Sequence, residues 1–294
     1  MRSDASLAEA DALGSGSAFV MLDDLARVVV AGADAGGWLH DLLTADVAGL
    51  LPDGARRTFL LTPTGRIRAD LWLVRRVDSI ELFEPADEPV SVATMLAPYV
   101  LGSDISLSGP TPVRFAAFPS SSSERRQRDR LPALGPVSVP SILGGGADVI
   151  VEAGGAAALA SAASELAARV GPGAAETLRI RRGIPRWRHD VDPDAFPVGA
   201  LADDAVAQAK GCFLGQEAVA KIRNLGHPPT VLRHLTTSGR PSAGDAVVAG
   251  GDTVGRITSA AAGREGVVVL ARVRWDAPER TLELADGAPL RPFA

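Results

Sequence analysis

Apolar positions recur with two periods along this chain, and the alternation between them divides it into elements. Ala26 to Ala31, apolar but for Arg27, reads as a strand, and Trp38, Leu39, Leu42 and Leu43 then recur at helical spacing, with Asp34 placed to cap the helix. Arg57 to Leu61 and Arg66 to Arg76 read as paired strands around Thr62-Pro63-Thr64-Gly65, a turn-forming sequence. In the second of these, Ile67, Ala69, Leu71 and Leu73 share one face, while Arg68, Asp70, Trp72 and Val74 share the other. Pro89 is suited to open a helix through Met95 and Leu96, and strands are expected around Ile105 and over Val113 to Phe118.

An alanine-rich helix is expected from Ala156 to Val170, stopped by Gly171-Pro172-Gly173, and another from Ala174 to Arg182, stopped by Gly183 and Pro185. Ala218, Ile222 and Leu225 place a helix start at Gln216 and Glu217. From Val231 onward the period changes to short strands: Val231–Thr236, Ala246–Val248, Val254–Ile257, Val267–Val273 and Thr281–Leu284, separated by glycine-rich turns. That spacing predicts a small barrel. The small and polar N-terminus through Ala18 reads as disordered, and the serine- and charge-rich stretch over Ser120 to Arg130 as a solvated loop.

Composition narrows the class. With 294 residues, 46% of them hydrophobic, the chain is long enough for two or three folding units with a sizeable core. A formal charge of -5 argues against wholesale nucleic-acid binding. No apolar run reaches the ~20 residues of a membrane span, and the first residues carry carboxylates where a secretory signal carries apolar ones. A cytoplasmic protein is expected. Four scattered histidines and a single cysteine give no ligand set for a metal or an iron–sulfur cluster, so no stably bound metal is expected.

That cysteine sits in the most informative stretch: Lys210, Gly211, Cys212, Phe213, Leu214, Gly215, Gln216, Glu217. A helix N-terminus and Lys210 both favour a thiolate at Cys212, and Glu217 opposes it. A buried small hydrophobe is the alternative for a free cysteine. The residues alone leave both open.

The motif resembles the signature of the YgfZ family, relatives of the glycine-cleavage T-protein aminomethyltransferase, with Phe213 where tyrosine is common. The resemblance extends to Val30-Ala31-Gly32-Ala33-Asp34 with Trp38 to Val47, to Thr62 to Ile67 with Asp70, and to the turns Gly183-Ile184-Pro185 and Gly226-His227. It implies an α+β fold: aminomethyltransferase-like folate-binding lobes around a central cavity, with a C-terminal β-barrel. The corresponding division is a tail over 1–18, an N-terminal lobe over 19–118, a second lobe carrying the motif over 119–229, and a barrel over 230–294.

The function the resemblance implies is a folate-binding accessory protein. It would use Cys212 to support assembly or repair of iron–sulfur enzymes, with client enzymes or cluster-assembly proteins as partners and tetrahydrofolate or a derivative as cofactor. The alternative is a tetrahydrofolate-dependent aminomethyl- or methyltransferase using Asp70; a cysteine-bearing scaffold with a vestigial cavity is a third option. Asp70 matches an aspartate that meets folate in the transferases, while pairing with Arg66 or Arg68 is its structural alternative. Trp72 shares its face. Arg179 and Arg182, within the arginine-rich segment Leu178–Arg188, are candidates for the folate glutamate tail. Asp148, after Gly144-Gly145-Gly146-Ala147, is the nearest counterpart of the family's pteridine-gripping acid. Leu25 and Thr177 stand where the family often has tryptophans.

Overall fold

The computed structural model describes residues 2–119, 138–278 and 281–293; the expected loop over 120–130 lies outside them. Eight strands form the larger sheet: β1 (Ala18–Ala31), β2 (Ala55–Leu61), β3 (Ile67–Arg75), β4 (Ser79–Pro85), β5 (Ser106–Phe118), β6 (Ser138–Pro140), β7 (Ala147–Glu152) and β8 (Ala168–Val170). Their order is β2-β3-β4-β1-β5-β7-β6, with β8 parallel to the start of β1. The sheet therefore runs straight through the boundary expected at 118/119, because β7 pairs with β5 from Phe118 to Val113. Among the described residues the helices are α1 (Arg2–Ser15), α2 (Ala35–Leu42), α3 (Val92–Leu96), α4 (Ala156–Ser164), α5 (Pro172–Arg181) and α6 (Gln216–Leu225).

The alternation in β3 survives folding. Ala69, Leu71 and Leu73 point into a core with Val28, Val30, Leu39, Leu60 and Leu82, while Asp70 and Trp72 face the other way. That division makes one face of the sheet a packing surface and leaves the other to line a cavity.

The remaining strands, β9 (Thr230–Thr237), β10 (Ala246–Ala249), β11 (Asp252–Ala262), β12 (Val267–Arg274), β13 (Glu283–Leu284) and β14 (Arg291–Pro292), build a curled antiparallel sheet in the order β13-β10-β11-β12-β9-β14. Its own core holds Leu235, Ile257, Val269, Ala271 and Leu282.

Several expectations are corrected. The tail is not disordered: α1 buries Ala10 and Leu13 against Ala174, Ala175 and Leu178 of α5. Ser6 Oγ lies 2.8 Å from Thr177 Oγ1, and Arg181 donates to Asp11 at 2.7 Å. Two apolar anchors are too few to mark a helix in isolation; tertiary packing makes it. The alanine-rich helix stops at Ser164, and residues 168–170 instead extend along β1, where strand pairing overrides helix propensity. Asp34 stands at the N-cap of α2 as expected, but its side chain makes no capping bond; its carboxylate accepts the Asp104 amide at 2.8 Å. Ser91, not Pro89, starts α3, with its side chain accepting the Ala93 amide.

Candidate functional site

A cavity of about 460 Å³ opens between the outward face of β2–β3 and α5. Leu22, Leu25, Trp72, Phe83, Ile142 and Leu143 give it apolar walls, the segment from Ile184 to Trp187 closes one side, and Asp70, Arg57, Glu176 and Arg179 supply most of its charge. A few polar groups in an apolar, aromatic-walled space of this size suit a small organic ligand.

Asp70 is bound by Arg57, not by Arg66 or Arg68. Arg57 Nε donates to Asp70 Oδ1 at 2.8 Å and its Nη2 donates to Oδ2, while Nη2 also reaches the Pro185 carbonyl at 3.1 Å. Burial pulls the Arg57 guanidinium toward neutrality, and the Asp70 carboxylate outweighs it, leaving its pKa above the ordinary arginine value. The sequence carries a signal for this pair. Counting back from the turn over residues 62–65 puts Arg57 opposite Asp70, and a bulge at Leu60/Leu61 shifts the partners to Arg57–Trp72 and Phe59–Asp70 on the same face.

Arg179 lines the cavity but its donors are spoken for. Nε and Nη2 hold Glu176, Nη1 donates to Asp190 at 2.8 Å and to the Ile184 carbonyl at 3.0 Å, and Nη2 reaches Ser259 at 3.0 Å. Arg182 does not line the cavity. It donates to the carbonyls of Leu143 and Gly144 and, at 2.7 Å, of Pro119. Among the described residues, the half-exposed cation left at the mouth is Arg186, 3.5 Å from Glu176.

Asp148 is fully buried and outside the cavity lining; its Oδ2 accepts the Ile142 amide at 2.9 Å and so fixes the turn that carries Ile142 and Leu143 to the wall. Burial raises its pKa to about 7, with Ser141 and the Ile142 amide pulling back only in part. Leu25 lines the cavity, whereas Thr177 is turned away onto α1.

The cysteine motif lies outside the cavity lining. Its geometry separates packing residues from presented ones. Lys210 is not directed at the thiol: its ammonium donates to the carbonyls of His40, Leu43 (2.6 Å) and Ala45 (3.0 Å) around the C-terminal end of α2, where a cation meets the negative end of the helix dipole. Burial lowers its pKa to about 8 against the pull of Asp46 and Asp41. Phe213 is buried with Phe59, Leu61 and Trp187, and Gln216 Oε1 accepts the Phe213 amide at 3.2 Å. Gly215, at φ +81°, starts α6 against the β2–β3 turn. Gly211, Cys212 and Glu217 are left exposed. The buried-hydrophobe alternative for Cys212 is therefore excluded.

Among the described residues no cluster of three or more His, Cys, Asp or Glu is placed to hold a metal, and no helix is long and apolar enough to cross a membrane. Arg57 and Glu176 are cavity residues that the sequence pattern did not single out.

No family model matches the chain. The putative transferase At1g60990, chloroplastic, of Arabidopsis thaliana is 25% identical over 87% of this chain, which spans 64% of that relative's length. An aminomethyltransferase of Streptomyces avermitilis is 36% identical, over 29% of this chain and 24% of its own. The crystal structure of glycine cleavage system aminomethyltransferase T from Bartonella henselae superimposes with a TM-score of 0.79 at 20% identity, covering 97% of this chain and 87% of that one. The chain thus has the fold of aminomethyltransferase T and is similar in sequence to a putative transferase and, over part of its length, to aminomethyltransferases.

Proposed function

We propose that this protein binds a reduced folate in the cavity and supports iron–sulfur enzymes through the exposed Cys212, as its YgfZ-like motif suggests. The observation that carries this reading is the separation of tasks within the motif. Lys210, Phe213, Gly215 and Gln216 are consumed in packing, and they leave Gly211 and Cys212 exposed, with no side chain at Gly211 to obstruct a partner. The cavity fits the cofactor class. Trp72, Trp187 and Phe83 line it with aromatic side chains, and Asp70 keeps lone pairs for ring N–H donors even while it is held by Arg57. When bound, a reduced folate supplies one-carbon or redox chemistry; the residues here bind and orient it. Partners would be iron–sulfur clients or assembly proteins meeting the Cys212 surface, in the cytoplasm.

The second reading is a tetrahydrofolate-dependent aminomethyl- or methyltransferase using Asp70, favoured by its place in the cavity wall and by the transferases among the relatives. Against it, both Asp70 oxygens already accept from Arg57, which fixes the carboxylate in a two-point contact. Titration with reduced and oxidised folates, followed by the fluorescence of Trp72 and Trp187, tests the cavity. Cys212→Ser tests the motif: it should leave the melting temperature unchanged and abolish rescue of iron–sulfur enzyme activity in depleted cells. Full rescue by the serine variant, with aminomethyl transfer that Asp70→Asn destroys, would establish the second reading instead.

A further inference from the structure

Among the described residues, Asp190, 1% exposed on the segment between α5 and the C-terminal sheet, is a carboxylate bonded at both oxygens outside the cavity. Oδ1 lies 2.6 Å from the hydroxyls of both Thr258 and Ser259 on β11, and Oδ2 accepts from Arg179 Nη1 at 2.8 Å and from the Arg186 amide at 2.9 Å. Its own carbonyl accepts from Arg272 of β12. Burial alone would raise the Asp190 pKa; Arg179 and these donors more than offset it, so the group is held as an anion below the usual carboxylate range.

Each partner on the cavity side is itself part of the wall. Arg179 grips both oxygens of Glu176, whose carboxylate borders the cavity, and the Arg186 amide begins the Arg186–Trp187 segment that closes one side. The Glu176 carboxylate, gripped by Arg179 and with Arg186 3.5 Å away, still has lone pairs for a ligand, and fixing its rotamer in advance lowers the entropy cost of binding. We propose that Asp190 is a positioning residue: through Arg179 it sets the Glu176 carboxylate to accept N–H donors from the edge of a bound heterocycle, and it thereby makes ligand affinity depend on the β11 hydroxyls of the C-terminal sheet. This rests on the cavity being the folate site. It assigns Glu176 a direct ligand contact and gives the C-terminal sheet a part in recognition.

The test compares Glu176→Gln, Asp190→Asn, Ser259→Ala and the double variant Glu176→Gln/Asp190→Asn in the full chain, titrated with tetrahydrofolate. Ser259→Ala, a lone hydroxyl removal far less disruptive than loss of the buried charge, keeps the test usable if Asp190→Asn does not fold. Glu176→Gln and Asp190→Asn should each weaken binding roughly tenfold and the double variant no further, since both act through one carboxylate; Ser259→Ala should weaken it severalfold. Multiplicative losses in the double variant, or a lowered melting temperature with unchanged affinity in the single ones, would overturn the proposal. Amide hydrogen exchange over 183–188 without ligand separates this from the folate reading. If wild-type protein binds no folate, that reading fails, and faster exchange in Ser259→Ala still upholds the positioning by Asp190, whereas unchanged exchange overturns it.

Discussion

Gly215 and Gly65 meet where the cysteine motif docks on the β2–β3 turn: a Cβ on Gly215 would stand 3.1 Å from Gly65 Cα and 2.5 Å from the Thr62 carbonyl oxygen. Both residues have positive φ, +77° at Gly65 and +81° at Gly215. Gly215→Ala should therefore cost about 2–3 kcal/mol through strain and backbone contact together. Gly211→Ala, where a Cβ meets nothing within 4 Å, should change stability by less than ~0.5 kcal/mol. Urea unfolding of the two variants checks this; equal losses would refute the close docking.

The Arg57–Asp70 pair is mostly buried, with side chains 13% and 8% exposed. Asp70→Ala leaves a guanidinium without its partner in the cavity wall and should destabilise the fold by about 3 kcal/mol or more. Adding Arg57→Ala should restore part of that loss, giving a double variant more stable than the sum of the single changes predicts. Thermal unfolding of all four proteins decides it, and additive losses would mean that the pair is not coupled.

Asp148 ties stability to pH. Its folded pKa of about 7 lies above the ordinary aspartate value of 3.8, so between those values the folded protein holds a proton that the unfolded chain has released. Stability should fall as pH rises from about 4 to 7 and level off above, and Asp148→Asn should flatten this slope. The asparagine variant should equal wild type near pH 4 and exceed it by up to ~4 kcal/mol at pH 8, measured by unfolding at each pH. A wild-type advantage at pH 8 would place the carboxylate in a stabilising role instead.

Recognition of a glutamate tail should be weak. Arg179 and Arg182 are committed to internal acceptors, which among the described residues leaves Arg186 at the mouth. Mono- and polyglutamylated folates should bind within about threefold of one another, and Arg186→Ala should erase what difference there is along with its salt dependence. A tenfold or larger preference for the longer tails, surviving in Arg186→Ala, would require cations from elsewhere.

The features legible in advance are those that a short stretch of chain decides for itself. The two faces of β3 follow from strict alternation, and the start of α6 at Gln216 follows from a glycine before a helical period. The change from α/β to short strands after residue 230 follows from turn spacing. The aminomethyltransferase fold was implied by the eight-residue motif and its companions and is matched by the Bartonella structure.

What the sequence left open is where each charged group goes. Asp70 has several arginines in its own hairpin, and although the bulge moves Arg57 from directly opposite it to a diagonal position on the same face, the folded site pairs it with Arg57. Lys210, two residues from Cys212, turned to carbonyls at the end of α2 because that end is packed against the motif, a contact across 167 residues from Lys210 to Leu43. Thr177 and the N-terminal helix found each other across 171 residues. Backbone preferences act over one or two turns of chain, so local pattern determines the elements; hydrogen bonds and ion pairs act between groups that only the assembled core brings within ~3 Å, so their partners belong to the tertiary structure.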